Sequence, residues 1–102
     1  MAAVYITEYA RQGLDACSRG LVVPEEPPVA NQTVAIGAGS VQSSAMNALT
    51  SFIRIHTDAI CSIEIGTNPT ATTSTRRLAA NTTEYFAVPM GQSYKVAVIT
   101  NT

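Results

Sequence analysis

Apolar and polar residues alternate along most of this chain, and apolar spacings of three and four are rare. Period-two alternation places successive side chains on opposite faces of a pleated strand, so the pattern predicts half-buried strands rather than helices. Strands are predicted near 3–9 (Ala-Val-Tyr-Ile-Thr-Glu-Tyr), 20–23 (Gly-Leu-Val-Val), 32–37, 41–48, 51–57, 61–66, 83–88 and 93–99. The intervals are short and carry turn residues, as in all-β sandwiches and barrels. Segment 10–19 reads as a short helix or a loop, and no internal repeat is visible. The expected fold is all-β: one domain over 1–102, a β-sandwich or jelly roll of about eight short antiparallel strands.

Two hairpins follow from the same pattern. Pairing residues 51–57 with 61–66 so that numbers sum to 118 sets Ile53 opposite Ile65, Ile55 opposite Ile63 and Thr57 opposite Cys61. Arg54 then faces Glu64 and His56 faces Ser62, giving one apolar face and one with an opposite-charge pair. A shift of one residue mixes the faces. The loop Asp58-Ala59-Ile60 lacks the Gly or Asn that a three-residue hairpin prefers. A second hairpin is expected to join Glu84–Val88 to Tyr94–Ile99, with Phe86 against Val96 and Val88 against Tyr94. Pro89 closes its first strand and Gly91 supplies turn freedom.

Two segments depart from the alternation. Residues 24–31 hold Pro24, Pro27 and Pro28 beside Glu25 and Glu26, a stiff extended stretch without ladder donors. It reads as a crossover between sheets or as an arm laid on a neighbouring subunit. Residues 66–77, rich in Thr, read as an exposed, mobile polar loop. On the first strand Val4 and Ile6 face the core, which turns Tyr5 and Tyr9 outward, where tyrosine suits contact with another protein. A strand buried on both sides is the competing reading.

Composition narrows the function. Charged residues are 13 % of the 102, with six cations and a net charge of −1, against roughly 25 % in ordinary soluble domains. Six dispersed cations argue against binding nucleic acid by phosphate neutralisation. No apolar run approaches the roughly 20 residues of a membrane span, and no signal-peptide pattern opens the chain. Two cysteines, Cys17 and Cys61, are too few for a disulfide scaffold, and reduced thiols are expected, with a bridge between them as the alternative. His56 is the one histidine; in the predicted register it points away from Cys61, so catalysis is not expected. The soft ligands Cys17, Cys61 and His56 lack metal-site spacing, so neither a metal nor another cofactor is expected. Gly37-Ala38-Gly39-Ser40 lacks the Gly-Lys-Ser/Thr ending of a phosphate loop and reads as a turn. Arg76-Arg77 reads as a solvated corner.

One stretch has a wider likeness. It runs Ile53-Arg54-Ile55, Asp58, Cys61, Ile63, Gly66-Thr67-Asn68-Pro69-Thr70-Ala71, Leu78-Ala79-Ala80-Asn81, Glu84-Tyr85-Phe86-Ala87-Val88-Pro89, Gly91 and Val96-Ala97-Val98-Ile99. This resembles the small structural proteins of tailed bacteriophages and prophages, above all a head decoration (cement) protein. The opening Tyr5-Ile6-Thr7-Glu8-Tyr9, with Val23-Pro24 and Pro27-Pro28, is similar to the start of such chains. The resemblance implies a non-enzymatic β-sandwich, dimeric or trimeric, that binds the major capsid protein on the outside of the head. It further implies synthesis in the host cytoplasm and residence on the virion surface. Tyr5, Tyr9, Leu21, Val22, Pro24, Pro27 and Pro28 are the candidate contact residues. A tail or head–tail junction protein and a carbohydrate-binding sandwich are the alternatives; the latter lacks an aromatic platform or an Asp cluster in this sequence.

Overall fold

The computed structural model describes residues 2–102, which form ten strands and no helix. In chain order these are β1 (Ala3–Tyr9), β2 (Gln12–Leu14), β3 (Gly20–Pro24), β4 (Ala30–Ala35) and β5 (Val41–Gln42). They continue with β6 (Phe52–Thr57), β7 (Cys61–Gly66), β8 (Arg76–Leu78), β9 (Thr82–Ala87) and β10 (Lys95–Thr100). Two four-stranded antiparallel sheets, ordered β4-β1-β6-β9 and β5-β10-β7-β8, make an all-β sandwich, and β2-β3 forms a separate hairpin. The inward alternate residues of both sheets meet in one core: Val4, Ile6, Val34, Ile53 and Ile55 from the first, Cys61, Ile63, Leu78, Val96 and Val98 from the second. The folded surface of 5667 Å² matches the roughly 5,500 Å² expected for a monomer of this mass.

Both predicted hairpins are corrected by the topology. β6 lies between β1 and β9, with Ile55 opposite Ile6 and Glu84. β7 lies in the other sheet between β10 and β8, with Ile63 opposite Val98 and Arg76. Asp58–Ile60 therefore arches from sheet to sheet, held by the Thr57 hydroxyl donating to the Ala59 carbonyl at 2.6 Å. Arg54 stands opposite Thr7 and Tyr85 rather than Glu64, which stands opposite Ala97. A hairpin and an inter-sheet arch bury the same alternate residues, so alternation cannot separate them; the absent turn glycine favours the arch. The Glu84–Val88/Tyr94–Ile99 pair fails in the same way. β9 joins the first sheet, β10 the second, and Pro89–Ser93 spans them with Gly91 at φ 71°.

Smaller differences have local causes. The strand expected over 41–48 shrinks to Val41–Gln42, after which the chain keeps irregular bonds to the second sheet, Ser43 N–H to the Val96 carbonyl and Met46 N–H to the Tyr94 carbonyl, and sends Met46 into the core. β2 and β8 were not expected, being three residues each with little alternation to read; β2 replaces the helix or loop read over 10–19. Segment 67–75 is exposed at most positions but buries Pro69 and Ala71. The Gln42 amide donates to the Asn68 side chain and the Pro69 carbonyl, and the Asn101 amide to Ser62 and the Thr73 carbonyl. This segment covers the outer side of the second sheet, where Ala97 and Ser62 are wholly buried.

One carboxylate lies inside. Glu8, 1 % exposed, follows Val4 and Ile6 on the inward face of β1. Its Oε1 accepts from the Asn47 amide and the Thr50 hydroxyl, and its Oε2 from the Gln32 side chain, each at 2.8 Å. Gln32 in turn donates to the Ser44 carbonyl and accepts from the Ser44 amide, tying β4 to the irregular segment that follows β5.

Both cysteines are free, Cys17 exposed in the β2–β3 turn and Cys61 buried. Burial pushes the Cys61 thiol pKa up, and the thiolate is the reactive form. Iodoacetamide is therefore expected to modify Cys17 alone in the native protein and both thiols after unfolding, read by intact mass. Labelling of Cys61 at the rate of Cys17 under native conditions would contradict this packing.

Candidate functional site

The two sheets differ in what covers them. The second carries segment 67–75 over its outer side, while the first leaves much of its outer side open. That open face presents Asn31 and Thr33 from β4, Tyr5, Thr7 and Tyr9 from β1, Phe52, Arg54 and His56 from β6, and Thr83, Tyr85 and Ala87 from β9, placed together by the registers. It is rich in Thr and aromatic side chains and poor in charge.

Tyr5 is 42 % exposed and donates to the Asp58 carboxylate at 3.4 Å. Its ring lies 6.4 Å from that of His56, tilted by 38°. His56 Nδ1 is 2.9 Å from the Thr83 hydroxyl. No cysteine or carboxylate bonds the imidazole among the described residues, and no cluster of three metal-ligating side chains is found there. Arg54 stands half-buried at the middle of the face. The ion pairs among the described residues are Arg11–Glu25 and Arg19–Asp15, and Arg54 belongs to neither.

The hairpin β2–β3 overhangs one end of this face. Gln12 pairs with Pro24 and Leu14 with Gly20, with an irregularity between. At its base the Glu25 amide donates to the Arg11 carbonyl, and Arg11 Nε bonds Glu25 at 2.9 Å. At its tip the Asp15 carboxylate accepts from the amides of Cys17 and Arg19 and pairs with the Arg19 side chain. Those bonds, the Arg19 amide first, hold its pKa below the ordinary carboxylate value. Leu14, Leu21, Val22 and Val23 are exposed, Val22 to 93 %. Such a cluster on one projecting hairpin exceeds the scattered apolar residues usual on a monomer surface. Between hairpin and sheet runs an apolar groove of about 310 Å³ lined by Gln12, Val22, Val23, Pro24, Phe52 and Tyr85.

Tyr9 departs from its expected exposure. It keeps the outward side of β1 but is 4 % exposed. Its ring stacks on Phe52 at 5.3 Å and its hydroxyl donates to Glu26 at 2.9 Å. Burial, the bond to Glu26 and the charge of Glu26 raise its pKa above the ordinary tyrosine value. Tyr9 thus anchors the proline-rich segment to its own chain, where the Val29 amide also bonds the Glu8 carbonyl at 2.8 Å. Pro27 is exposed, Pro24 and Pro28 are half-buried, and Leu21 and Val22 project from β3. Of the predicted contact residues, the fold brings Val22 and Pro24 to the groove; Tyr5 lies on the open face.

Phe52, Arg54, Tyr85, Leu14 and Val23 belong to this surface and are not among the contact residues expected from the sequence. Tyr85 alternates with Phe86 in the chain, and only knowing which one faces Ile53 assigns the other to the outside. Arg76 and Arg77 are not simply solvated: the Arg76 guanidinium sits 4.8 Å above the Phe86 ring and Arg77 Nε bonds the Thr102 carbonyl. Comparison of the chain with protein-family models, with curated proteins and with solved structures returns no match.

Proposed function

We propose that the protein is a non-enzymatic virion component of a tailed bacteriophage, a decoration protein that binds the major capsid protein on the outer head surface and stabilises the shell. The observation that carries this reading is the exposed apolar hairpin Leu21–Val23 beside an uncovered sheet face. A surface built of Thr, Tyr and Val with one unpaired arginine suits broad contact with protein more than reaction chemistry. An interface of standard size, roughly 1,600 Å² in total, takes about 800 Å² from each partner, about one-seventh of this chain's 5667 Å² surface. Such contacts across capsid subunit junctions oppose the outward pressure of packaged genome.

Val22→Asp tests the docking role. Val22 is 93 % exposed, so the change is expected to leave stability within about 0.5 kcal/mol. Burying the new carboxylate against a shell without a partner is expected to weaken head binding by about tenfold or more. Sedimentation of purified heads with added wild-type or variant protein measures both uptake and resistance of the heads to heat and low salt. Heads that take up no wild-type protein, or tolerate heat and low salt identically with and without it, contradict the proposal.

A further inference from the structure

We propose that two copies of this chain join edge to edge through β9, in a two-fold pairing centred on Tyr85 that makes one continuous eight-stranded sheet. The contact stands independently of where the protein docks. An unpaired strand edge is a row of free N–H and C=O groups that templates another strand, and proteins guard such edges with prolines, charges, bulges or short length. β4 is tied to the chain beside it through Gln32 and Ser44. β5 has two residues, and β8 has three, two of them arginine. β9 has neither proline, bulge nor short length, and its one charge is Glu84: Thr82-Thr83-Glu84-Tyr85-Phe86-Ala87 runs in unbroken register with β6, and no strand pairs with its far side.

Its free groups can be assigned. Val88 donates its amide to the Ser51 carbonyl at 2.9 Å. By the alternation of an antiparallel ladder, Phe86 and Glu84 then bond β6, while Thr83, Tyr85 and Ala87 point their N–H and C=O groups outward. A two-fold axis normal to the sheet must place each residue opposite one on the same side. Centring on Glu84 sets two carboxylates against each other, which is unfavourable. Centring on Tyr85 sets Tyr85 against Tyr85, Thr83 against Ala87, and Glu84 against Phe86, with the outward groups of the odd-numbered residues exchanging hydrogen bonds.

Charge and apolar surface support the same register. The Phe86 ring carries the Arg76 guanidinium 4.8 Å away, and among the described residues no carboxylate pairs with Arg76. Glu84 of a second copy, opposite Phe86, comes beside this cation, and the symmetry makes the pair twice. On the outer side, Tyr85 lines the groove with Val22, Val23, Pro24 and Phe52. The tyrosine of the second copy stands at its mouth and extends the apolar contact. Recognition is thus by strand addition, with the backbone supplying adhesion and alternate side chains the register.

Light scattering on the isolated chain tests this. The wild type is expected at twice 10.7 kDa. Tyr85→Pro removes an outward N–H that bonds nothing within the chain and is expected to give a single-chain mass. Glu84→Arg and Arg76→Glu each place like charges across the axis and are expected to weaken association by about tenfold. Mixing these two variants restores opposite charges at both sites only between unlike copies, so the mixture is expected to recover the dimer. This rescue decides the matter even where Tyr85→Pro does not fold. A wild-type monomer or trimer, a folded Tyr85→Pro that still dimerises, or a mixture that stays dissociated overturns the proposal. Head binding does not enter this measurement, so failure here is separate from failure of the decoration role.

Discussion

Replacing Ile55 by alanine is expected to cost about 3–4 kcal/mol, the range for deleting a large aliphatic side chain from a packed core. Ile55 is wholly buried and stands mid-strand in β6, with Ile6 of β1 opposite and the second sheet's Ile63, Val96 and Val98 in the same core cluster. Neighbours on both sheets are fixed by their own ladders, so the void cannot collapse without disturbing one of them. For a chain of this length each kcal/mol moves the midpoint by about 4–8 °C, and the expected fall in Tm is roughly 15–25 °C. A fall under about 5 °C would place Ile55 outside a shared core and contradict the sandwich.

The second large effect is expected at Glu8. Glu8→Ala removes the acceptor for the Asn47 amide, the Thr50 hydroxyl and the Gln32 side chain together. Thr50 is buried with it, and stranded buried donors cost roughly 1–3 kcal/mol apiece. Relaxation lets water reach the more exposed Gln32 and Asn47, so about 3 kcal/mol is expected overall. Glu8→Gln keeps an oxygen for Asn47 and Thr50 but turns an NH2 group toward the Gln32 NH2, and is expected to cost about 1 kcal/mol. Urea unfolding of the three proteins measures both. Equal losses for Ala and Gln would assign the effect to the charge rather than to the directed bonds.

These two positions also mark what was legible in the chain. Ile55 recurs at every second position with Ile53 and Thr57, and its inward direction follows from period two alone. Its partners do not, because arches at Asp58–Ile60 and Pro89–Ser93 bury the same faces as hairpins would. The hydrophobic pattern therefore yields the sandwich class and most strand positions, while sheet membership depends on turn chemistry and long-range pairing. Glu8 breaks the apolar series Val4, Ile6 at the end of β1, and its partners lie 24, 39 and 42 residues away, beyond any local signal. The open face was readable in part. The outward direction of Tyr5 follows from strand alternation, whereas alternation cannot expose the adjacent Leu21 and Val22 together, and the cover over Tyr9 comes from Glu26 and Phe52, which only the fold brings there.

The shortage of charge gains a definite location from this. Two of the thirteen charged residues, Arg54 and Glu64, were expected to neutralise each other, and the fold separates them onto different sheets. Among the described residues Arg54 makes no ion pair in the middle of the open face, while Arg76 of the other sheet lies over Phe86 at the β9 edge. The apolar hairpin adjoins the open face at Phe52 and Tyr85, so that surface combines uncovered apolar area with one cation that has no carboxylate partner.

Imaging of purified particles, with quantitation of their proteins, is the direct test of the proposed place of this chain on the outside of a phage head. The polypeptide is expected at a fixed ratio to the major capsid protein, as density on the outer shell surface, with the β2–β3 hairpin and the open face of the first sheet turned toward the capsid. Absence from purified particles, or density confined to the tail or the head–tail junction, would contradict it.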